Sequence, residues 1–544
     1  MAGLAAAFGS GAMTNSIDEI ENANCIFVIG SNTTEAHPLV ARRIFRAKQK
    51  GAFLIVADPR RIQLAHYADI YIRQRPGTDV ALLNGMMNVI ISQGWEAKDY
   101  IKERTEGFEE FKKTIEKYPL DKVSSITGVP QDKIKEAAKA YATSKASTII
   151  YAMGITQHIS GVDNVKSLAN LAMLCGKVGI ESGGVNPLRG QNNVQGACDM
   201  GALPNVYPGY QRVDNEDVAK KFEDAWGVKL SRKPGLTLME MMDAIIDGKV
   251  KALYIMGENP LLSDPNSRHL EEALRKVEFL LVQDIFLTET ARYAHVVLPG
   301  VSFVEKDGIF TNTERRAQRV RKAIEPVGDS KPDWEIICLL SEKMGYPMKY
   351  SSPEEIQKEI ASLTPSYAGI VYERIEKEGL QWPCPALDHP GTKFLHKDKF
   401  ARGKGLFHKV EYKPPAEVPD DTYPFSLTTG RTFVHYHTGT MTRRSPSLHS
   451  EMEDAYVEIN PDDAKELGIV QGETIKVTSR RGEISLKAKF TNKVDKKSLF
   501  IPFHFAEAAA NVLTNDALDP IAKIPEYKIC AVKVEKIESK KESS

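Results

Sequence analysis

The sequence predicts an α/β protein in which two strand–helix halves precede a β-rich C-terminal domain. Three observations predict it. The chain carries an internal repeat at an offset of about 226 residues, and a strictly alternating hairpin pattern surrounds Arg480. At 544 residues it is also too long for one hydrophobic core. The composition, 42% apolar and 26% charged, is that of an ordinary globular protein.

The repeat sets the order of elements. "CIFVIGSNTTEAHP" from Cys25, followed by "FLIVADPRRIQLAHYADIYI" from Phe53, matches "ALYIMGENPLLSDPN" from Ala252, followed by "FLLVQDIFLTETARYAHVVL" from Phe279. Gly30 aligns with Gly257, Asn32 with Asn259, Asp58 with Asp284 and Tyr67 with Tyr293. Each half reads as a buried strand, a Gly-Asn turn, a helix, a second strand ending at Asp and a third strand. That is the alternation of a parallel α/β sheet. A glycine at a strand's carboxyl end lets backbone approach a ligand, and the following helix N-terminus suits a phosphate. The Asp can accept from a ribose or base. Neither half has a full GxGxxG, so each alone is a weak signal; two matching copies predict two nucleotide-like ligands in Rossmann-like folds.

Around the repeat, "EAKDYIKERTEGFEEFKKTIEKY" and "DKIKEAAKAYATSKAS" read as helices, and "TIIYAMGITQHISG" as a strand opening into a glycine-containing loop. Beyond residue 410 the texture changes. "AYVEINPDDAKELGI" offers a strand, an Asn460 cap, Pro461 in the first helical turn and Gly468 as a stop. "ETIKVTSRRGEISLKAKF" alternates about a turn at Arg480–Gly482, a β-hairpin.

Several function classes are excluded or disfavoured. Lys+Arg and Asp+Glu both number 72, which argues against a general nucleic-acid binder. Cys25, Cys175, Cys198, Cys338, Cys384 and Cys530 form no CxxC pair, which points to a reducing, cytoplasmic compartment. The start, "MAGLAAAFGSGAMTNSIDEIE", lacks a basic region and reads as core and not as a signal peptide. No apolar run approaches the roughly 20 residues of a membrane span. The tail "KIESKKESS" is expected to fray.

One stretch resists this description. "GGVNPLRGQNNVQGACDMGALPNVYPGY", Gly183 to Tyr210, concentrates glycines and, between residues 186 and 195, five amides (Asn186, Gln191, Asn192, Asn193, Gln195) around a single arginine, Arg189. A planar guanidinium matches a carboxylate bidentately, and the amides can bond a polar ligand or hold the loop. The plainer reading is an arginine in a structural ion pair with amides capping turns.

This loop closely resembles that of molybdenum- or tungsten-dependent formate dehydrogenases. "VIGSNTTEAHP", "ADPR", "RPGTD", "MGITQH", "MGENP", "QDIF", "LTTGRTFVHYHTGTMTRRS" and "DPIAKIPEYKICAVKV" match in the family's order across nearly the whole chain. The resemblance implies a formate dehydrogenase/DMSO reductase-like fold: two dinucleotide-binding α/β domains, at 1–190 and 191–405 with a connecting segment near 304–332, and a double-psi-type β-barrel at 411–544. It implies two molybdopterin guanine dinucleotides around one Mo or W. Arg189 is then expected to hold formate, with Gln191 beside it. Gly30, Asn32, Asp58, Arg60, Gly77, Asp79, Gly154 and Gln157 are expected at one dinucleotide, and Gly257, Glu258, Asn259, Gln283 and Asp284 at the other. The barrel is expected to add Arg431, His435, Asn511, Tyr527 and Lys528. His435 and His437 suit cofactor hydrogen bonds better than a metal, and Cys175 and Cys198 are expected to be buried thiols.

Family members carry an N-terminal [4Fe-4S] domain and a Cys or selenocysteine metal ligand followed by His. This chain opens on a stretch resembling the one about five residues after that ligand. The metal ligand is therefore expected upstream of Met1, through a UGA codon read as a stop, and the chain alone is expected to be inactive. The implied partners are formate or CO2 and an iron–sulfur, flavin or hydrogenase subunit. Competing readings are a nitrate reductase-like enzyme, a nicotinamide dehydrogenase and a non-catalytic cofactor-binding subunit.

Overall fold

Five short apolar runs make a parallel sheet whose two faces are both covered, so no strand needs a polar side. They are β1 (Cys25–Ile29), β2 (Phe53–Ala57), β3 (Ile70–Ile72), β4 (Ser147–Tyr151) and β5 (Val185–Pro187), in the order β3-β2-β1-β4-β5. Alternate residues go to opposite faces. Phe27, Ile29, Ile55, Ile149 and Tyr151 enter one apolar cluster; Ile26, Val28, Leu54, Val56 and Ile150 enter another. Helices Asp79–Ser92, Gln131–Thr143 and Gly161–Leu174 close the first cluster, and Pro38–Gln49 closes the second through Val40, Ile44 and Ala47. The N-terminal stretch is core, as expected: in helix Ala2–Phe8, Leu4, Ala7 and Phe8 are wholly buried.

This sheet comes from a computed structural model that describes residues 1–537. The chain divides into two compact units, one formed by Met1–Gly190, Leu262–Ser267 and the chain from Phe394 onward, the other by Gln191–Leu261 and Arg268–Lys393.

The first unit also holds a closed six-stranded barrel. Its strands, in spatial order, are Phe425–Gly430, Ser498–Pro502, Tyr456–Ile459, Glu483–Phe490, Thr474–Thr478 and Cys530–Lys536. Two of its pairings are parallel, so the barrel is not a simple meander. The local expectations hold here. The Asn460 side chain accepts from Asp462 N at 3.0 Å, Pro461 opens the helix, and Gly468 stops it at φ +65°. The hairpin pairs Thr474–Thr478 with Glu483–Phe490, and Ile475, Val477, Ile484 and Leu486 face the barrel core.

In the second unit β6 (Ala252–Met256), β7 (Phe279–Asp284) and β8 (Val296–Pro299) form a parallel sheet ordered β8-β7-β6. The repeat thus yields the same three-strand order twice. Gly308–Thr311, Arg316–Val320 and Leu380–Gln381 form an antiparallel ladder, whose first two strands fall within residues 304–332.

One helical expectation is corrected. The segment from Glu96 to Tyr118 is two helices, Lys98–Arg104 and Phe108–Ile115, because Gly107 sits at φ +80° and interrupts the turn. Between them, Thr105–Glu106 pairs with Gly405–Leu406.

The sheet's order reverses between β1 and β4, and in parallel α/β sheets ligands bind at the carboxyl edge beside such a switch point. There Gly154 N donates to Gly30 O at 3.1 Å. A Cβ on Gly154 would lie 2.6 Å from Gly30 O. Gly154→Ala is therefore expected to cost about 1–3 kcal/mol by overpacking. Urea unfolding monitored by tryptophan fluorescence checks it; an unchanged midpoint would show that the two turns part without cost.

Candidate functional site

The site is built on the carboxyl edge of the five-stranded sheet. Leaving β1, the chain turns at Gly30 (φ +55°) into Ser31 and Thr33, whose buried hydroxyls have no hydrogen-bond partner. After β3, Gln74 gives its Nε2 to Asp79 at 3.1 Å, while its buried Oε1 is unpartnered. After β4, His158 Nε2 meets Gly154 O at 3.0 Å, while its buried Nδ1 makes no hydrogen bond and lies 3.8 Å from Glu526 Oε1. The barrel adds the unpartnered hydroxyl of Thr432. Each such atom costs about 1–3 kcal/mol when it stays unsatisfied. Their gathering where three outgoing strands end fits a polar ligand, and buried groups of this kind call for an explanation.

The charges around this edge are desolvated. Burial pushes the Asp58 carboxyl up to about 6, against the Arg60 N–H that donates to it at 2.9 Å. Burial likewise raises Asp79. Burial, aided by repulsion from Arg431, pulls Lys528 down to about 8; its Nζ donates to Thr429 O at 2.7 Å. Burial also lowers Arg431, and it brings His437 to about 4 and His504 to about 3, with Arg431 contributing to both. The His437 and His504 imidazoles are therefore neutral near pH 7, and the cations beside them are the Arg431 guanidinium and the Lys528 ammonium.

The folded chain releases the Lys528 proton near pH 8, whereas the unfolded chain holds it to the ordinary lysine range near 10. Between these values the unfolded state binds more protons, so stability rises with pH. Cofactor-free protein is expected to melt higher at pH 9.5 than at pH 8, and Lys528→Met to flatten that slope. An identical slope in the variant would assign it elsewhere.

Arg189 leaves the end of β5 under tight backbone control. Leu188 is buried in the apolar cluster of Ile26 and Val28, and its N–H donates to Tyr151 O at 2.8 Å. The next two carbonyls are also held: Arg189 O accepts from His37 Nε2 at 2.6 Å, and Gly190 O from Arg431 Nη1 at 2.9 Å. The Arg189 side chain is half-buried and acts electrostatically on the Tyr151 hydroxyl.

The loop's amides divide into two sets. Asn186 is fully buried, donating to Thr148 Oγ1 at 2.7 Å and accepting from Asn15 N at 3.1 Å. Asn193 accepts from Thr311 N at 2.8 Å. Gln195 donates to Asp199 at 2.7 Å and to Tyr210 at 2.9 Å. Asp199 accepts further from Tyr210, Tyr367 and Trp382. These residues hold the loop, whereas Gln191 and Asn192 present their side chains to solvent.

The other expected residues fall at varied distances from a ligand role. Gly30, Asp58, Asp79, Gly154, Arg431 and Lys528 belong to the sheet edge and its barrel neighbours. Gln157 contributes its carbonyl, which receives Lys528 N at 3.4 Å. Asn32 accepts from Thr34 Oγ1 at 3.1 Å. Gly77 (φ +75°) faces Pro415, 2.5 Å from where a Cβ would stand. The Arg60 fork is engaged by Glu458, at 2.7 and 2.8 Å. Both His435 nitrogens meet barrel atoms, Thr442 Oγ1 and Met452 O. Asn511 and Tyr527 bind the carbonyls of Leu262 and Ser263, at 2.8 and 3.1 Å.

In the second unit Gly257 (φ +64°) has open space where a Cβ would be, and Glu258 follows it. Asn259 binds Glu289 and Thr290. Gln283 binds Tyr254 and Asp333, and Asp284 accepts from Ile285 N at 2.7 Å.

Sequence reading missed Ser31, Thr33, His37, Gln74, His158, Thr432 and His504. Polar residues directly after a strand–glycine turn were the available signal for the first two. His504 carried none. Among the described residues no group of three or more His, Cys, Asp or Glu is placed to hold a metal. The thiols of Cys25, Cys175 and Cys530 are pushed up to about 12 by burial, and Cys198 is also buried. Among the described residues no helix is long and apolar enough to cross a membrane.

A parallel sheet with a polar, desolvated carboxyl edge, together with a closed barrel, defines a class. The chain matches the Molybdopterin oxidoreductase family over residues 3–343 and the Molydopterin dinucleotide binding domain over residues 425–531. It belongs to the molybdopterin oxidoreductase family. Within it, the chain is similar to formate dehydrogenase alpha subunits. It is 57% identical to the F420-dependent formate dehydrogenase subunit alpha of Methanocaldococcus jannaschii over 540 residues, 98% of this chain and 80% of that one. It is 43% identical to formate dehydrogenase H of Escherichia coli over 544 residues, 99% of this chain and 76% of that one. Acetylene hydratase from Pelobacter acetylenicus shares the fold, with a TM-score of 0.79 at 22% identity, covering 98% of this chain and 80% of that one.

Proposed function

We propose that this chain belongs to the catalytic subunit of a formate dehydrogenase, with Arg189 binding the formate carboxylate. The observation that carries the reading is the backbone restraint on Arg189 at the end of β5, beside desolvated cationic groups. The similarity to formate dehydrogenase alpha subunits supports the substrate. Two Rossmann-like domains, 1–190 and 191–405, and a double-psi-type barrel at 411–544 are the organisation we assign.

The residues present fit two molybdopterin guanine dinucleotides with Mo or W. The orphaned atoms of Ser31, Thr33, Gln74 and His158, with Asp58, Asp79 and Lys528, offer donors and acceptors to one. The turn at Gly257 and Glu258 offers an open approach to the other. When bound, the cofactor supplies the two-electron redox step.

Formate becomes carbon dioxide, one proton and two electrons. Arg189 orients the carboxylate through its planar fork and offsets its charge. Neutral His437 and His504 add no competing positive charge. Gln191 follows Arg189 by two positions and offers an amide to the same substrate. The electrons pass to an electron-transfer partner subunit. The free cysteines suit a reducing, cytoplasmic setting.

The test is the holoenzyme's formate-dependent viologen reduction, with metal and guanine nucleotide measured on the same preparation. Mo or W with guanine nucleotide and formate-dependent reduction are expected. Nitrate-dependent oxidation of viologen without formate activity would favour the nitrate reductase-like reading; absent metal and nucleotide would overturn the cofactor assignment.

A further inference from the structure

We propose that His37 is a positioning residue for Arg189: it grips the arginine's own carbonyl and, with Arg431 on the next one, locks the backbone from which the guanidinium projects. The inference rests on the reading of Arg189 as the formate clamp. It adds a residue that belongs to neither the cofactor set nor the substrate set above.

His37 sits between two helices, Thr33–Ala36 and Pro38–Gln49, at φ −142° and ψ 60°. Pro38 forbids a continuous helix through this point, so the imidazole leaves the helical track and reaches a residue 152 positions away. The 2.6 Å contact is between Nε2 and Arg189 O. A carbonyl only accepts, so Nε2 carries the hydrogen and the tautomer is settled. Nδ1 then has a bare lone pair; it is buried and has no partner. A proton there would be desolvated and would also face Arg431, the two effects that hold this imidazole below its ordinary value. His37 is thus a neutral donor, which restrains the loop without adding a cation that would compete with the guanidinium for a carboxylate.

The restraint covers three consecutive residues. Leu188 N is held by Tyr151 O, Arg189 O by His37 and Gly190 O by Arg431. Two of these bonds come from the α/β sheet side and one from the barrel. A Cβ on Gly190 would lie 2.8 Å from Arg431 Nη2, so glycine permits the barrel-side grip. Removing His37 releases rotation about the Arg189 Cα–C bond. The guanidinium stands at the end of a long, many-jointed side chain, so a small backbone tilt becomes a displacement of order 1 Å at the fork. Misplacement of that size costs about 10²-fold in rate at a well-oriented site.

The test compares His37→Phe, which keeps a flat ring and loses the donor, with His37→Gln, whose Nε2–H reaches a similar distance. Holoenzyme kinetics give KM and kcat for formate. Hydrogen exchange on cofactor-free protein follows the amides of peptides spanning residues 186–195. The Phe variant is expected to raise KM about 10-fold or more with a smaller change in kcat, and to speed exchange in this segment alone. The Gln variant is expected to restore both within about threefold. Equal impairment of Phe and Gln variants, or wild-type KM with unchanged exchange in the Phe variant, would overturn the proposal. Arg189→Ala is run alongside. If it leaves KM for formate unaltered, the formate reading fails, and the exchange rates still decide whether His37 holds the segment.

Discussion

Replacing Arg189 with alanine is expected to lower kcat/KM for formate by about 10³-fold, because it strips a small anion of its planar charge-assisted partner. Arg189→Lys keeps the charge and loses the planar fork, and is expected to cost about 10²-fold. Formate has one carboxylate and one C–H bond, so nothing else on the substrate can compensate for a lost orientation. The loss should appear mainly in KM for lysine and in both parameters for alanine. Metal content and melting temperature should stay near wild type, because the side chain is half-buried and belongs to neither main core cluster. Steady-state kinetics with a viologen acceptor check this. A lysine variant with wild-type KM would remove Arg189 from substrate binding.

The second large effect is expected on stability. Arg60 is 6% exposed and Glu458 is fully buried, and they meet through two bonds of 2.7 and 2.8 Å. Phe500 packs under the guanidinium at 4.1 Å, and Glu35 stands 3.8 Å away. Glu458→Gln leaves a buried guanidinium with only the more distant Glu35 as counter-charge, which costs about 3 kcal/mol. The double change Arg60→Met with Glu458→Leu removes both charges and fills the space with apolar atoms, and is expected to recover most of that loss. Thermal and urea melts of both single variants and the double variant complete the cycle. A Glu458→Gln protein within about 1 kcal/mol of wild type would mean that solvent reaches the pair. Because Arg60 lies on the loop after β2 and Glu458 in the barrel, the pair ties these two parts of the first unit together. That explains an arginine after β2 without recourse to a ligand.

How much of this was legible in the sequence differs from residue to residue. The parallel strands at Cys25, Phe53, Ala252 and Phe279 were visible because a strand buried on both faces is a continuous apolar run. The Asn460 cap and the hairpin about Arg480 were visible because both signals are local. Gly107 hid inside a segment whose charges and apolar residues kept helical spacing on either side, and only its positive φ shows that the helix stops. The site was partly legible. Arg189 stood out as the lone positive charge in an amide-rich loop, yet that inventory pointed as strongly to Asn186, Asn193 and Gln195, which hold the loop itself.

The sequence by itself determined the repeated α/β pattern, the change to β structure beyond residue 410 and the singular character of the Arg189 loop. Each is written in neighbouring residues, as periodicity or composition. Only the tertiary structure decided that Glu458 answers Arg60 across 398 positions, that His37 reaches Arg189 O across 152, and that Arg431 closes on Gly190 across 241. The reason is physical. A buried polar group takes whichever partner the packed core brings within hydrogen-bond distance, and no spacing along the chain records which partner that is.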